Sequence, residues 1–416
     1  MGERVKTDMI GRRRFLVRTG CLLLGGPAAA ATGRTDAMRE TGWQTETGAR
    51  DMTLFLCGDV MTGRGIDQAL PHPAGPTLHE PYVTSARDYV ALAERASGRI
   101  PRPLAFDYVW GDALAEWARV RPDVRIVNLE TAVTTRDDWQ RDKGIHYRMH
   151  PANVPCLTAA SIDCCVLANN HVLDWGYAGL AETLATLRGT GMQTAGAGRD
   201  TAEAAAPAVL PVAGKGRVLV WAFGMTSSGI PPAWAARAGQ PGVNLLADPS
   251  AATLRKIAAQ VKAAKRTGDV AVASIHWGEN WGYAVPDEHR AFAHGLVDQC
   301  GIDVVHGHSS HHPIGIEIYR GRPILYGCGD FINDYEGIGG HEAYRGDLSL
   351  MYFARVEPAS GRLRRLSMIP LQMRRFRLNR AAAADVRWLR ASLDRECRRF
   401  GCQVEAGPQG SLDVHG

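Results

Sequence analysis

Residues 164–191, CCVLANNHVLDWGYAGLAETLATLRGTG, place a short apolar run, a polar turn and a helical pattern in direct succession. The apolar run stops abruptly at Asn170 and His171, as a buried strand does where it reaches a loop. Residues 177–191 then carry apolar side chains at helical spacing and finish in glycine, which is a typical helix end. A strand followed by a helix is the repeating unit of α/β proteins, so this stretch predicts that fold class.

The same unit recurs along the chain. Five further apolar runs, rich in Val, Ile and Leu, also end in polar side chains. The residues at which the six runs end are Asp59, Asn128, Glu130, Asn170, His171, His276, His306, His308 and Asp330. Helix-like stretches lie between the runs, at residues 108–120, 151–160, 177–191, 248–269 and 287–301. Continuous apolar runs are typical of strands covered on both faces, which again favours an α/β fold.

The pattern changes after residue 315, where short strands replace the alternation of strand and helix. Turn signals at residues 320–321 and 359–361 separate two hairpin-like pairs. A last helix is predicted over about residues 381–400, before a Gly/Pro-rich tail. We therefore predict a signal peptide at residues 1–31, a linker at 32–51, one main domain at 52–380, and a C-terminal helix and tail at 381–416.

The composition indicates a globular protein without a strongly basic surface. With 45% hydrophobic and 22% charged residues among 416, the chain can bury a full core. Most of the net charge of +5 lies in the segment before Thr32, which holds six Lys/Arg and two Asp/Glu. The remainder is nearly neutral, so no nucleic-acid partner is expected.

The N-terminal stretch GRRRFLVRTGCLLLGGPAAAATG (residues 11–33) has the features of an export signal: basic residues, a short apolar stretch and a small-residue cleavage zone. Residues 12–16, RRRFL, resemble the twin-arginine pattern R-R-x-F-L. The apolar run is too short and too rich in glycine to span a bilayer as a stable helix. We expect an exported protein of the periplasm or cell envelope; a plain secretory signal and an uncleaved anchor are the alternatives.

The nine cysteines do not form the spacing of a disulfide framework, although an exported protein permits disulfides. Cys57 and Cys328 lie within apolar runs, so buried thiols are expected for most of the set. A disulfide between Cys397 and Cys402, across a helix end, is the alternative for that pair.

The polar ends of the apolar runs predict a shared site, because ligands in open α/β sheets bind at the carboxyl ends of the strands. Carboxylate, carboxamide and imidazole groups together suit a divalent ion such as Mn, Fe or Zn. The stretch HGHSSHHPIG (residues 306–315) adds four histidines in seven residues. These ligands are numerous enough for two metals, which can activate a water and hold an oxyanion during hydrolysis.

The stretches GDVMTGR, NLETAVT, ANNHVLDWGYAGLAETL, HWG, GHSSH and YRGRPILYGCGDFIND resemble the CapA family. These poly-γ-glutamate capsule synthesis proteins are a branch of the calcineurin-like metallophosphoesterase superfamily. The resemblance covers residues 54–334 in the family's order. It implies a four-layer α/β/β/α sandwich of the metallophosphoesterase type with one or two divalent metals.

The resemblance also implies a role for individual residues. By position in the motifs, Glu130 would bridge two metals and His171 would act on the leaving group or the developing oxyanion. The implied metal ligands are Asp59, Glu130, Asn170, His276, His308 and His311. Three positions depart from the superfamily pattern: Met61 replaces a histidine, Glu130 replaces an aspartate, and GHSSH replaces GHHPH. The departure at Met61 leaves the number of metals open.

Several neighbouring residues have two interpretations each. Asp174 either orients the His171 imidazole or caps the following helix. Arg64 either binds an anionic group of the substrate or is a surface arginine. Trp277, with Trp281 and Tyr283, either lines a substrate groove or packs on the core. His306 and His312 are expected to support the site or to be solvated, and Asp330 and Asn333 to buttress the histidine loop. The arginines of residues 374–380 either bind a polyanion or form a solvated strand end.

These features predict a metal-dependent hydrolase or transferase that acts on a γ-glutamyl polymer, in polymer synthesis, trimming or export. His171 would stabilise or protonate the departing group, with Asp174 as its partner, and Arg64 and Trp277 would contact substrate. A phosphoester is the alternative substrate. A non-catalytic polymer-binding or transport component is the alternative of a different class. The expected partners are an anionic polymer or phosphoester substrate and a capsule-synthesis membrane complex.

Overall fold

The structure is a computed structural model that describes residues 50–416. The predicted signal peptide and nearly all of the predicted linker lie outside the described residues. Within residues 50–416, no helix combines the length and the apolar character needed to cross a membrane.

Twenty strands are present in the described part of the chain. In chain order they are β1 (Met52–Val60), β2 (Val124–Leu129), β3 (Ala132–Val133), β4 (Arg148–Met149), β5 (Cys164–Val166), β6 (Gln193–Ala195), β7 (Ala197–Gly198), β8 (Ala208–Val212), β9 (Gly216–Gly224), β10 (Gly242–Val243), β11 (Val270–His276), β12 (Val304–His308), β13 (Ile316–Tyr319), β14 (Arg322–Leu325), β15 (Asp330–Ile332), β16 (Leu348–Glu357), β17 (Arg362–Met373), β18 (Leu378–Arg380), β19 (Gln403–Ala406) and β20 (Leu412–His415).

Nine α-helices accompany these strands within residues 50–416. They are α1 (Arg64–Ala69), α2 (Ala86–Ser97), α3 (Ala113–Val120), α4 (Pro155–Ala159), α5 (Gly176–Gly189), α6 (Thr201–Ala205), α7 (Ala251–Ala264), α8 (Asp287–Asp298) and α9 (Ala383–Arg398). The five predicted helical stretches and the predicted last helix each overlap one of them.

Two large sheets carry most of the strands. The larger sheet has the order β19-β20-β17-β16-β1-β2-β5-β6, with β15 added to β1 and β18 to β17. The smaller sheet has the order β13-β14-β12-β11-β9-β8. Each sheet contains four neighbouring parallel strands: β1, β2, β5 and β6 in the larger, and β9, β11, β12 and β14 in the smaller.

The alternation of side chains along each strand divides the core into layers. Leu54 and Leu56 of β1 belong to a core that lies between the sheets, together with Val220 and Val272 of the smaller sheet. Phe55 faces the other way and packs with side chains of α1–α5. A third cluster joins the outer face of the smaller sheet to α7 and α8. The predicted four-layer α/β/β/α sandwich is therefore confirmed.

The structure corrects the prediction at the C-terminus. Residues after α9 are not a tail, because β19 and β20 pair with each other and β20 pairs with β17 of the larger sheet. The eight cysteines within residues 50–416 are free and buried, as predicted. The alternative disulfide between Cys397 and Cys402 is absent: their sulfur atoms accept hydrogen bonds from the Ile316 and Ile318 amides.

Candidate metal centre

Asp59 lies at the carboxyl end of β1, at a place where two strands approach unusually closely. A Cβ atom added at Gly58 would lie 1.5 Å from the carbonyl oxygen of Gly329, so only glycine fits there. The Asp59 amide donates to that same oxygen at 3.0 Å. This contact sets β15 beside β1 and places Asp330 opposite Asp59 in the parallel register.

An amide network holds the carboxylates at this edge. The Asn128 side-chain nitrogen donates to Asp59 Oδ1 at 2.7 Å and to Glu130 Oε2 at 3.0 Å. Asn169 in turn donates to the Asn128 oxygen, which fixes the orientation of that amide. The second oxygen of Asp59 is buried and has no hydrogen-bond partner in the described part of the chain. A buried carboxylate oxygen without a donor is costly unless a cation binds it.

The smaller sheet contributes two histidines from the carboxyl ends of β11 and β12. The Nδ1 atoms of His276 and His308 are 2.8 Å apart, and His308 Nδ1 is 4.0 Å from Asp59 Oδ1. Ser274 contacts the other nitrogen of His308 at 2.9 Å, so that Nδ1 faces the carboxylates. Burial lowers the pKa of both histidines well below the usual value, which favours the neutral imidazole that binds metals.

Two sets of possible ligand atoms lie close enough to hold a cation. The first set is Asp59, His276 and His308, and the second is Asp59, His311 and Asp330, with all ligand atoms of a set within 4.8 Å of one another. Asn170 and Glu130 border the first set, because Asn170 Oδ1 is 3.1 Å and Glu130 Oε1 is 3.8 Å from His276 Nε2. The donor types and the unpaired Asp59 oxygen fit one or two divalent ions.

The six predicted ligands therefore meet in one cluster, with two differences from the prediction. Asp59, rather than Glu130, is the residue common to both sets. Asp330 offers a ligand atom itself, in addition to holding His311: its Oδ1 is 2.8 Å from His311 Nδ1. Asn333 buttresses Asp330, as predicted, by donating to Oδ2 at 3.0 Å.

The charges at this edge repel one another without a cation. Burial, followed by repulsion from Asp330, raises the pKa of Asp59 to about 7. Burial and the Asp59 charge raise the pKa of Glu130 well above its usual value. Burial alone would lower the pKa of His311, but the Asp330 carboxylate raises it overall. Bound cations would relieve the repulsion among the carboxylates.

His171 lies beside the cluster and is held from behind by Asp174. Its Nδ1 is 2.6 Å from Asp174 Oδ2, and its Nε2 is 3.8 Å from Glu130 Oε1. Asp174 therefore lies where it can orient the His171 imidazole. The alternative of a helix cap is wrong, because α5 begins after Trp175 without a side-chain cap. Burial lowers the pKa of His171 to about 4 despite the Asp174 charge.

Lys143 is a residue of this site that the sequence analysis missed. It reaches in from the exposed loop between β3 and β4, and its ammonium contacts Asp174 Oδ1 at 2.6 Å and His171 Nδ1 at 3.2 Å. It also donates to the carbonyl oxygen of Asn170. No periodic pattern or motif surrounds Lys143 in the sequence, so only the fold could identify it.

The contacts of Arg64 disfavour the predicted role in substrate binding. Its guanidinium is buried and forms ion pairs with Asp334 and Glu80, so it is neither on the surface nor free to bind an anion. Tyr89 accepts a further hydrogen bond from the same guanidinium, at 3.0 Å. Arg64 therefore supports the wall of the site from inside.

Trp277 has the position of the alternative interpretation, which is packing on the core. Its side chain is 3% exposed, packs in the core under α7 and α8, and donates its indole hydrogen to the Tyr326 carbonyl. Trp281, its neighbour in sequence, is half-buried, and its ring centroid is 5.3 Å from that of His311. The groove interpretation therefore fits Trp281 better than Trp277.

The remaining predicted residues have structural contacts. His306 is fully buried and bridges Ser274 and the Cys57 carbonyl oxygen, and His312 is buried between Gly282 and Pro313. In the arginine run of residues 374–380, Arg377 and Arg380 pair with Asp112 and Glu116, whereas Arg374 and Arg375 are exposed.

Comparisons with known proteins identify the family of this chain. The family model described as Bacterial capsule synthesis protein PGA_cap matches residues 53–335. A probable polyglutamine synthesis accessory protein of Mycobacterium tuberculosis is 52% identical over 364 residues, covering 87% of this chain and 96% of the relative. The PGA biosynthesis protein CapA of Bacillus subtilis is 28% identical over 285 residues, covering 68% of this chain and 63% of the relative.

The matched region contains every residue of the two ligand sets as well as His171 and Asp174. The predicted membership of the CapA family is confirmed, and the chain belongs to the bacterial capsule synthesis protein family PGA_cap.

Proposed function

We propose that this protein is a metal-dependent hydrolase or transferase that acts on a γ-glutamyl polymer during its synthesis, trimming or export. The family and the names of the relatives support a role in polymer synthesis. The observation that carries the catalytic part is Asp59: it is common to two ligand sets and keeps a buried oxygen without a partner.

Asp59, His276 and His308 would hold one divalent ion, and Asp59, His311 and Asp330 a second, with Mn, Fe and Zn as the candidates. When bound, such an ion polarises a carbonyl or phosphoryl oxygen and makes water more acidic. Glu130 and Asn170 border the first position, where they would complete the ligand set.

His171 would protonate the departing group. Asp174 accepts the hydrogen of Nδ1, so Nε2 is the nitrogen that faces Glu130 and the ligand sets. Nε2 would take up a proton and give it to the departing group, while the Asp174 charge stabilises the imidazolium. Lys143 neutralises Asp174 from the other side and limits how basic His171 becomes.

The proposal is tested by metal analysis of the purified protein and by hydrolysis assays on a γ-glutamyl polymer and on a generic phosphodiester. We expect bound metal, polymer cleavage, and a loss of roughly 100-fold or more in turnover for His171→Ala. Asp174→Asn should lower turnover as well, with metal content unchanged. Absence of metal, or turnover indifferent to His171→Ala, would contradict the catalytic role.

The same assays separate the alternatives. Cleavage of the phosphodiester alone would establish the phosphoester substrate, which the metallophosphoesterase-type sandwich favours. Polymer binding without cleavage of either substrate would establish a non-catalytic component, which the words "accessory protein" in the name of the mycobacterial relative favour.

Export to the periplasm or cell envelope is a further part of the proposal, and its support is the sequence RRRFL at residues 12–16. Replacing Arg12 and Arg13 by lysine should retain the protein in the cytoplasm, as cell fractionation would show. Unchanged export of this variant would point to a general secretory signal, and a membrane-bound fraction to an uncleaved anchor.

A further inference from the structure

Two tyrosine hydroxyls lie between the two sides of the metal centre. The Oη atoms of Tyr147 and Tyr335 are 2.9 Å apart. The ring of Tyr147 meets His171 edge-to-face at 4.6 Å between centroids, and the ring of Tyr335 meets His311 in the same way at 5.4 Å. The pair therefore connects the proposed proton carrier with the second ligand set.

The hydrogen bonds of this pair leave one donor poorly matched. Tyr147 donates to Tyr335, and the Tyr335 hydroxyl in turn faces the sulfur of Met61 at 3.5 Å. A thioether is a weak acceptor, so the Tyr335 hydrogen has no strong partner among residues 50–416. Tyr335 is half-buried, whereas Tyr147 is buried, so Tyr335 is the more accessible residue of the pair.

The rings of the pair are held rigidly from behind. The Arg64 guanidinium lies 4.3 Å from the Tyr147 ring centroid and 5.7 Å from that of Tyr335. Asp334 and Glu80 fix the guanidinium and balance its charge, so Arg64 supplies support for the rings rather than attraction for an anion. A donor held in place by its surroundings needs little reorganisation to meet a developing charge.

We propose that the Tyr335 hydroxyl donates a hydrogen bond to an anionic oxygen of the substrate at the metal centre, with Tyr147 holding it in position. This inference rests on the proposed function and adds a specific oxyanion contact to it. The substrate group has a tetrahedral oxyanion, either in the ground state, as in a phosphoester, or in the transition state, as in amide cleavage.

The test measures the affinity of the manganese-loaded protein for inorganic phosphate by calorimetry, with metal content measured in parallel. Tyr335→Phe should bind the same amount of metal and bind phosphate roughly ten-fold or more weakly, as expected when a hydrogen bond to a charged group is lost. In the hydrolysis assay the same variant should lose about 100-fold in kcat.

Two matched variants control for the loss of structure. Tyr89→Phe removes a hydroxyl from the same Arg64 cluster, but that hydroxyl donates to Glu80 rather than facing Met61. Met61→Leu removes only the weak acceptor of Tyr335. Both should keep the wild-type affinity for phosphate and the wild-type metal content.

The readouts distinguish the two proposals. Equal phosphate affinity of wild type and Tyr335→Phe, or no phosphate binding by the wild type, overturns the role of Tyr335 whatever the activity. Weaker phosphate binding by Tyr335→Phe with intact metal supports that role, even if no polymer or phosphodiester is cleaved and the proposed hydrolase function fails.

Discussion

Asp59 is common to both ligand sets, whereas each of the other ligand residues belongs to only one set. Substitutions of these residues should therefore affect metal content unequally. We expect Asp59→Asn to lose most bound metal at both positions, because a carboxamide lacks the negative charge that the shared position supplies. His276→Ala should empty the first position and leave the second. Asp330→Asn should do the reverse.

Metal stoichiometry after loading with manganese, determined by mass spectrometry of the eluted ion, checks this expectation. Asp303→Asn is the matched control. Asp303 is also a buried carboxylate, but it pairs with Lys265 and lies at the amino end of β12, opposite the end that carries His308. Identical stoichiometry for Asp59→Asn and Asp330→Asn would show that Asp59 does not serve two positions.

The raised pKa of Asp59 predicts that the free energy of unfolding of the metal-free protein depends on pH. Its pKa is about 7 in the folded chain, against an ordinary value of 3.8, so between these values the folded state holds a proton that the unfolded state has released. The contribution of Asp59 to the free energy of unfolding therefore falls as pH rises from about 4 to about 7. Glu130 acts in the same direction.

Urea unfolding of chelator-treated wild type and Asp59→Asn across this pH range measures the effect of Asp59, including the part of the Glu130 shift that the Asp59 charge causes. The difference in unfolding free energy should shift in favour of Asp59→Asn as pH rises, because the carboxamide does not titrate. A difference that is constant with pH would mean that Asp59 has an ordinary pKa in the folded protein.

Most strands and helices near the site could be predicted from the sequence, because each is a continuous apolar run or a periodic stretch with a clear end. Since parallel strands bring their carboxyl ends to one edge, Asp59, His276 and His308 could be predicted to meet. β9 was missed although its residues are apolar, because its carboxyl end at Gly224 bears no chemically active side chain.

Elements that depend on distant partners could not be predicted. β19 and β20 are short strands with exposed residues among buried ones. They are strands because β20 pairs with the distant β17 and β19 pairs with β20. The ion pair of Arg64 with Asp334 joins residues 270 positions apart, so the local motif could not predict that Arg64 is buried. Lys143 enters from a long loop whose path only the folded chain defines.

The C-terminal strand β20 is expected to be part of the main core, which a single substitution can test. Leu412 is fully buried between the sheets and pairs with Met368 of β17. Leu412→Ala should lower the free energy of unfolding by roughly 2–4 kcal/mol, because it removes buried apolar surface and leaves a cavity. Metal content should stay unchanged, since the site lies on other strands.

The control for this element is Glu405→Ala on the neighbouring strand β19, where the side chain is exposed. That change should stay within about 0.5 kcal/mol of wild type in urea unfolding. A loss for Leu412→Ala as small as that of Glu405→Ala would show that residues 403–416 are only loosely attached to the larger sheet.

At the scale of the whole molecule, the candidate centre lies where the two sheets meet. Asp59 and Asp330 belong to β1 and β15 of the larger sheet, whereas His276 and His308 belong to β11 and β12 of the smaller sheet. The first ligand set therefore spans both sheets, while the second joins β1 and β15 to the loop that carries His311. An ion in the first set would connect the two halves of the sandwich.

This arrangement predicts that metal stabilises the whole fold, because both ligand sets exist only in the folded chain. Each position that manganese fills at about 100 times its dissociation constant should add about 2.7 kcal/mol to the free energy of unfolding. Asp330→Asn and His308→Ala should each keep the gain of the ligand set that they leave whole, and Asp59→Asn should lose both gains. Thermal unfolding with manganese or with chelator measures the gain for each variant. A gain in Asp59→Asn as large as that of the wild type would contradict a metal centre that depends on the residue common to both sets.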